Sequence, residues 1–278
     1  MPVTINSNAA SRFAALNLEK AQTNLQSSLS KLSSGKRIVQ PYDDAAGEAV
    51  QLKMKAAINR YSQVKNNIQN AISYLQTQDG VYQTATDIVS RMGELATMAG
   101  DTSKSATDKA LYNTEFTLLQ TQLGQLDEEQ FNGVSLFNIR HTVFTSEAIN
   151  AGTSSIVLAS GNISGTTANP NIRVLMTAGN LTAGATVFSA AMSHITADIQ
   201  TLATARATNG AYQSVLNLAY NNASVGKMNM EAARGRIVDL DIAEESSNFA
   251  RANILSQAAS SMLAQANNSN SSVLQLLM

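Results

Sequence analysis

The sequence predicts a mostly α fold: an elongated antiparallel helical bundle or coiled coil formed by the N- and C-terminal segments, with a small β-hairpin insert. Three observations carry that prediction. Residues 9–49 and 231–278 are poor in charge and in proline, with only Pro41, and set leucines at coiled-coil spacing. Residues 141–187 between them are irregular and rich in Gly, Thr, Ser and Asn. The composition (5% aromatic, no Trp, three Pro) suits long helices with small-residue interfaces better than a compact enzyme core.

The first helical pattern runs from Ala9 to Leu32, with Leu18, Leu25, Leu29 and Leu32 at steps of 7, 4 and 3. Ser33-Ser34-Gly35 stops it, Gly35 being a candidate left-handed C-terminal residue. Pro41 bars helix through residues 38–41, and Asp43 or Asp44 is the expected N-cap of the next helix. That second helix carries two apolar runs, Met54 to Leu75 and Val81 to Ala99, out of phase at Asp79-Gly80. A phase shift without proline predicts one continuous helix whose buried face rotates. From Asp44 to Ala99 it spans on the order of 80 Å at 1.5 Å per residue, which implies a rod.

Gly100 to Ser105 reads as a turn. A third helix follows through Tyr112, Phe116, Leu119, Leu123 and Leu126, and Asn132-Gly133 reads as a tight turn. Ile156 to Ala159 and Ile172 to Met176 are short β-type runs expected to pair as a hairpin. Helix resumes near Phe188 and continues to about Arg236. A last pattern covers Ile237 to Gln265, with Ala252, Leu255, Ala259 and Met262 in its seam. The chain closes on the apolar stretch Val273 to Met278, which needs cover.

Several function classes fall away. A net charge of −1 gives no basic surplus for a nucleic-acid partner. No run approaches the ~18 apolar residues of a membrane span. The start of the chain has neither the basic nor the apolar region of a secretory signal. Absence of cysteine rules out disulfides and thiolate chemistry. His141 and His194 lie far apart, and an exposed or capping role suits each better than metal binding. The acidic clusters at Asp127-Glu128-Glu129 and at Asp239, Asp241, Glu244 and Glu245 lack calcium-loop spacing and read as solvated helix ends. No nucleophile elbow, phosphate loop or acid–base constellation is present, so no catalytic, cofactor-binding or metal residue is assigned and the chain is not expected to be an enzyme.

Leu32-Ser-Ser-Gly-Lys-Arg-Ile38 and Asp43-Asp-Ala-Ala-Gly-Glu-Ala49 resemble the N-terminal signature of bacterial flagellins. Gln130-Phe-Asn-Gly133 resembles the turn after that family's third helix. Arg236-Ile-Val-Asp-Leu-Asp241, Ala250-Arg-Ala-Asn-Ile-Leu255, Ala264-Gln-Ala-Asn267 and Val273-Leu-Gln-Leu-Leu277 resemble its C-terminal signature. The ordered set covers roughly residues 1–140 and 188–278. It implies a structural, self-assembling subunit of the extracellular flagellar filament, serving motility and exported unfolded by the flagellar type III route. It also implies two domains. Residues 1–43 with 237–278 would form an inner terminal-helix domain that orders on assembly. Residues 44–236 would form a rod domain that includes the insert.

Implied partners are copies of the chain in a helical homopolymer, flagellar cap and junction proteins, and an export chaperone. Toll-like receptor 5 is a further one, with Arg91, Leu95 and Glu115 as candidate contacts. That match is weakened, because Gly93 and Met98 stand where the family pattern has arginine and glutamine. The candidate assembly seam is Leu18, Leu25, Leu29, Leu32, Ala252, Leu255, Ala259 and Met262. Two other roles stay open: a hook–filament junction protein, and a coiled-coil secreted adaptor or effector.

Overall fold

A computed structural model describes residues 8–137, 139–146, 155–158 and 185–277. The elements are α1 (Ala9–Ser34), α2 (Ala45–Gly100), α3 (Ala106–Leu126), β1 (Gln130–Phe131), β2 (Val134–Ser135), β3 (His141–Phe144), β4 (Ser155–Leu158), α4 (Ala185–Val238) and α5 (Ile242–Leu277). Contacts divide the chain into two compact units, Met1–Ile58 with Met228–Met278, and Asn59–Lys227.

Helix ends follow local chemistry. Asn8 caps α1 by accepting a hydrogen bond from the Ser11 N–H, and Gly35 ends it at φ 66°. Glycine adopts that left-handed geometry without a Cβ clash. Asp44 caps α2, its Oδ1 accepting from the Gly47 N–H at 2.8 Å. Asp43 instead accepts from the Val39 and Gln40 N–H groups and shapes the turn around Pro41. Ser105 and Asp108 form a reciprocal capping box on α3.

In the unit Asn59–Lys227, α2 packs antiparallel to α4. The Lys65 Nζ meets Ser224, the Asn209 amide meets the Leu75 carbonyl, and Ile195 lies against Gly93. On α2 the residues facing inward are Tyr61, Val64, Ile68, Ala71, Leu75, Gln78, Tyr82, Ala85, Val89, Met92, Ala96 and Ala99. Their spacing alternates 3 and 4 without interruption. The helix is therefore continuous, as expected, but its buried face does not rotate at Asp79-Gly80. Gln78 occupies a seam position, which hides the repeat from a hydrophobicity reading. Tyr74, Ile88 and Leu95 are buried as well. They form a second covered stripe at multiples of seven, and this is what mimicked a change of phase. α4 answers with Ile195, Leu202, Asn209, Leu216 and Ala223, all buried and each seven residues apart.

Asn209 and Asp198 enter this core on different terms. Asn209 is fully partnered. Its amide donates to the Leu75 carbonyl at 3.0 Å and to Gln78 Oε1 at 3.4 Å, and its Oδ1 accepts from Gln213. Asp198 is 0% exposed, and neither carboxylate oxygen finds a hydrogen-bond partner among the described residues. Burial pushes its carboxyl up to about 7.

The β-structure differs from the expected pairing. β4 contains Ile156, but its described partner is β3, antiparallel, with His141 opposite Leu158. The run Ile172 to Met176 lies outside the described residues. His141 is neither exposed nor capping: its ring packs edge-on against Tyr74, centroids 4.7 Å apart. β1 and β2 form a two-residue hairpin around Asn132 (φ 52°) and Gly133 (φ 78°), the positive-φ pair that such turns require. Leu136 and Phe137 follow into the core. The Leu136 carbonyl accepts from both the Tyr74 hydroxyl and the Gln78 amide.

Candidate assembly surface

In the other unit, α1 and α5 lie antiparallel. Asn8 Nδ2 donates to the Ala266 carbonyl at 2.9 Å, and the Ser11 hydroxyl donates to Asn267 Oδ1 at 2.7 Å. At the opposite end Lys36 bridges Asp239 through paired backbone groups. The Arg37 N–H donates to the Val238 carbonyl, and the Leu240 N–H donates to the Gly35 carbonyl. Arg37 fastens this joint further. Its Nε and Nη2 both reach the Ile237 carbonyl, and Nη2 also reaches Asp44 Oδ2 at 3.2 Å. The bond from the Gly47 N–H and the Arg37 guanidinium hold the Asp44 carboxyl below its usual range.

The break between α4 and α5 falls at residues 239–241, not between Arg236 and Ile237. Asp241 Oδ1 accepts from the Ala243 and Glu244 N–H groups and so starts a new helix there. α5 then continues to Leu277, well past Gln265 where the pattern weakened.

The covered face of α1 reads Ser11, Ala14, Leu18, Ala21, Leu25, Ser28 and Leu32, in strict 3-4 alternation. On α5 it reads Phe249, Ala252, Ser256, Ala259, Leu263 and Ala266. Small residues fill most of both faces. Of these residues Ala21, Ser28 and Ala252 are buried and the rest are half-buried. The seam is therefore thin, because small side chains bring backbones close but withdraw little apolar area from water.

The eight seam residues named from sequence separate into two groups. Leu18, Leu25, Leu32, Ala252 and Ala259 lie on the covered faces. Leu29, Leu255 and Met262 do not, being 55%, 52% and 64% exposed. Sequence reasoning missed Phe13, Leu16 and Ile254, which are 69%, 51% and 66% exposed. A search for a single 4-3 stripe passes over them. A search for large apolar residues outside that stripe finds them. Arg37 was also missed, since its role depends on a carbonyl two hundred residues away.

Of the candidate receptor contacts, Arg91 and Glu115 are exposed and bonded to each other at 2.9 Å, with Glu94 as a second partner of Arg91. Leu95 is fully buried and presents no surface to a partner. It points into the helix bundle, because the α2 stripe that carries it is a core stripe.

Among the described residues no group of His, Asp and Glu could hold a metal ion, and no helix is long and apolar enough to cross a membrane. What the terminal pair offers is surface: bulky apolar side chains in water, on two helices held together by a weak seam and a strong joint.

Residues 5–142 match the family model described as the bacterial flagellin N-terminal helical region, and residues 192–277 match that of the C-terminal helical region. The chain is 32% identical to the flagellar filament 33 kDa core protein of Treponema phagedenis, over 98% of this chain and 99% of that one. It is 33% identical to flagellin of Bacillus subtilis (strain 168), over 98% and 99%. To flagellin of Halalkalibacterium halodurans it is 34% identical, over 96% of each.

Proposed function

The chain belongs to the bacterial flagellin family, and from that premise we propose that it is a structural subunit that polymerises into a flagellar filament through α1 and α5. The observation that carries this reading is the exposure of Phe13, Leu16, Leu29, Ile254, Leu255 and Met262 on a helix pair whose own seam is thin. Leaving the exposed part of such side chains in water forgoes roughly 1–2 kcal/mol each. Ordering each helical residue costs about 1–2 kcal/mol of backbone entropy. A lone subunit thus gains little from folding its ends, whereas a neighbouring copy supplies the missing cover. Coupled folding and association is the expected mechanism. It supports reading residues 1–43 with 237–278 as an inner domain that orders on assembly, and residues 44–236 as the rod domain.

In this reading the filament is extracellular, and the chain leaves the cell unfolded by the flagellar type III route, attended by an export chaperone and by cap and junction proteins. No enzymatic role is assigned. Deleting residues 1–40 or 240–278 should leave a soluble monomer that does not elongate filament seeds, as read by negative-stain microscopy and sedimentation. Growth of either truncated chain would overturn the proposal.

A further inference from the structure

The chain contains two Asn-Gly pairs, Asn132-Gly133 and Asn209-Gly210, and the fold treats them in opposite ways. We propose that Asn132 is a site of spontaneous covalent modification, losing ammonia through a cyclic imide to give isoaspartate and aspartate, while Asn209 is protected. The nucleophile is the Gly133 backbone nitrogen. It bonds to Asn132 Cγ, the Cγ–Nδ2 bond breaks, and ammonia leaves carrying the proton that the Gly133 N–H sheds. Water then opens the imide at either carbonyl. Opening at one returns an ordinary aspartyl link; opening at the other puts an extra methylene in the main chain.

Three features favour this at Asn132. The residue is exposed, and the Gly133 N–H makes no hydrogen bond among the described residues. A Cβ built on Gly133 would meet nothing within 4 Å, so the tip of the turn stands in open space. The turn also closes a hairpin with only two residues in each strand. Asn132 and Gly133 lie beyond the last ladder pair, so their dihedral angles can move while the Leu136 N–H bond to the Glu129 carbonyl and the Tyr74 contacts hold the base of the hairpin. Asn209 is the internal control. It is 3% exposed within the 54-residue α4, with its amide nitrogen donating twice and its oxygen accepting once. Its amide group cannot swing toward the Gly210 nitrogen without breaking the core.

The change has a structural consequence. An isoaspartate lengthens a two-residue turn whose register pairs Phe131 with Val134. It also adds a carboxylate close to Asp127, Glu128 and Glu129. Just beyond the hairpin lies the Leu136 carbonyl that Tyr74 and Gln78 share. The modification therefore reaches a buried junction of the core from an exposed turn.

The test is to age the full-length protein at mildly alkaline pH, folded and in urea, and to map peptides by mass spectrometry with isoaspartate detection. In the folded protein the peptide containing Asn132 should shift by the amide-to-acid mass difference and score for isoaspartate, while the Asn209 peptide stays unchanged. In urea both should shift. An Asn132 peptide that stays intact in the folded protein but converts in urea would show that the turn protects it and overturn the proposal. Equal conversion of both sites in the folded protein, or of neither site in urea, would overturn it too.

Discussion

The two units are both built from antiparallel helices with heptad seams, yet they use opposite side-chain volumes. Between α2 and α4 the seam carries Ile68, Leu75, Tyr82, Met92, Leu202 and Leu216, all buried. Between α1 and α5 the equivalent positions are largely Ala and Ser, and the bulky residues Phe13, Leu255 and Met262 face out. One repeat thus yields a self-sufficient core in one place and an incomplete interface in the other. Periodicity sets which residues can meet, and volume sets how much the meeting stabilises.

Substitutions can break or sharpen that contrast. The largest effect belongs to core truncation. Leu202→Ala should destabilise its unit by about 2–5 kcal/mol in urea unfolding followed by circular dichroism. Leu25→Ala, in the thin seam, should lower monomer stability far less. Equal losses would remove the distinction between the units.

Next comes Asp198. Its folded carboxyl titrates near 7, against an ordinary value of 3.8. The folded state therefore binds the proton more tightly than the unfolded state does. The burial penalty is absent below the ordinary value, grows as pH rises toward 7, and is complete above it. Asp198→Leu should stabilise the unit by roughly a few kcal/mol more at pH 8 than at pH 4. A pH-independent difference between the variant and its parent in denaturant midpoints would contradict the burial of this carboxyl.

Smaller still is Gly35→Ala. A Cβ there meets nothing, so the cost is backbone strain alone, about 1 kcal/mol for the left-handed geometry. Amide exchange at Leu240, whose N–H bonds to the Gly35 carbonyl, should accelerate. Least of all for the monomer is Leu255→Ser, expected within about 0.5 kcal/mol of the parent. Seeded elongation should nevertheless be lost. A variant that grows at the parental rate would remove Leu255 from the assembly surface.

Much of this was legible in the sequence. The ends of α1, the start of α2, the turn at Asn132-Gly133 and the family signatures depend on residues within a few positions of one another. The break at residues 239–241 was misplaced because Asp241, a good cap, sits inside a motif whose helical pattern looks continuous on both sides. The pairing of β4 with β3 was missed because His141 to Phe144 alternates too weakly to advertise a strand. The eight residues proposed for the assembly seam merged two faces of each helix into one list, because five lie on covered faces and Leu29, Leu255 and Met262 are exposed.

By itself the sequence determined the helices, the stop of α1 at Gly35, the heptad spacing and the family, because each is written in local order. Only the tertiary structure decided what each stripe meets. It turned Gln78 and Asn209 into partners inside an apolar seam, buried Asp198 without one among the described residues, and placed Leu95 in the core and Leu255 in water. The physical reason is that a heptad fixes the direction of a side chain along its own helix, whereas cover depends on a surface that arrives from distant parts of the chain or from another copy.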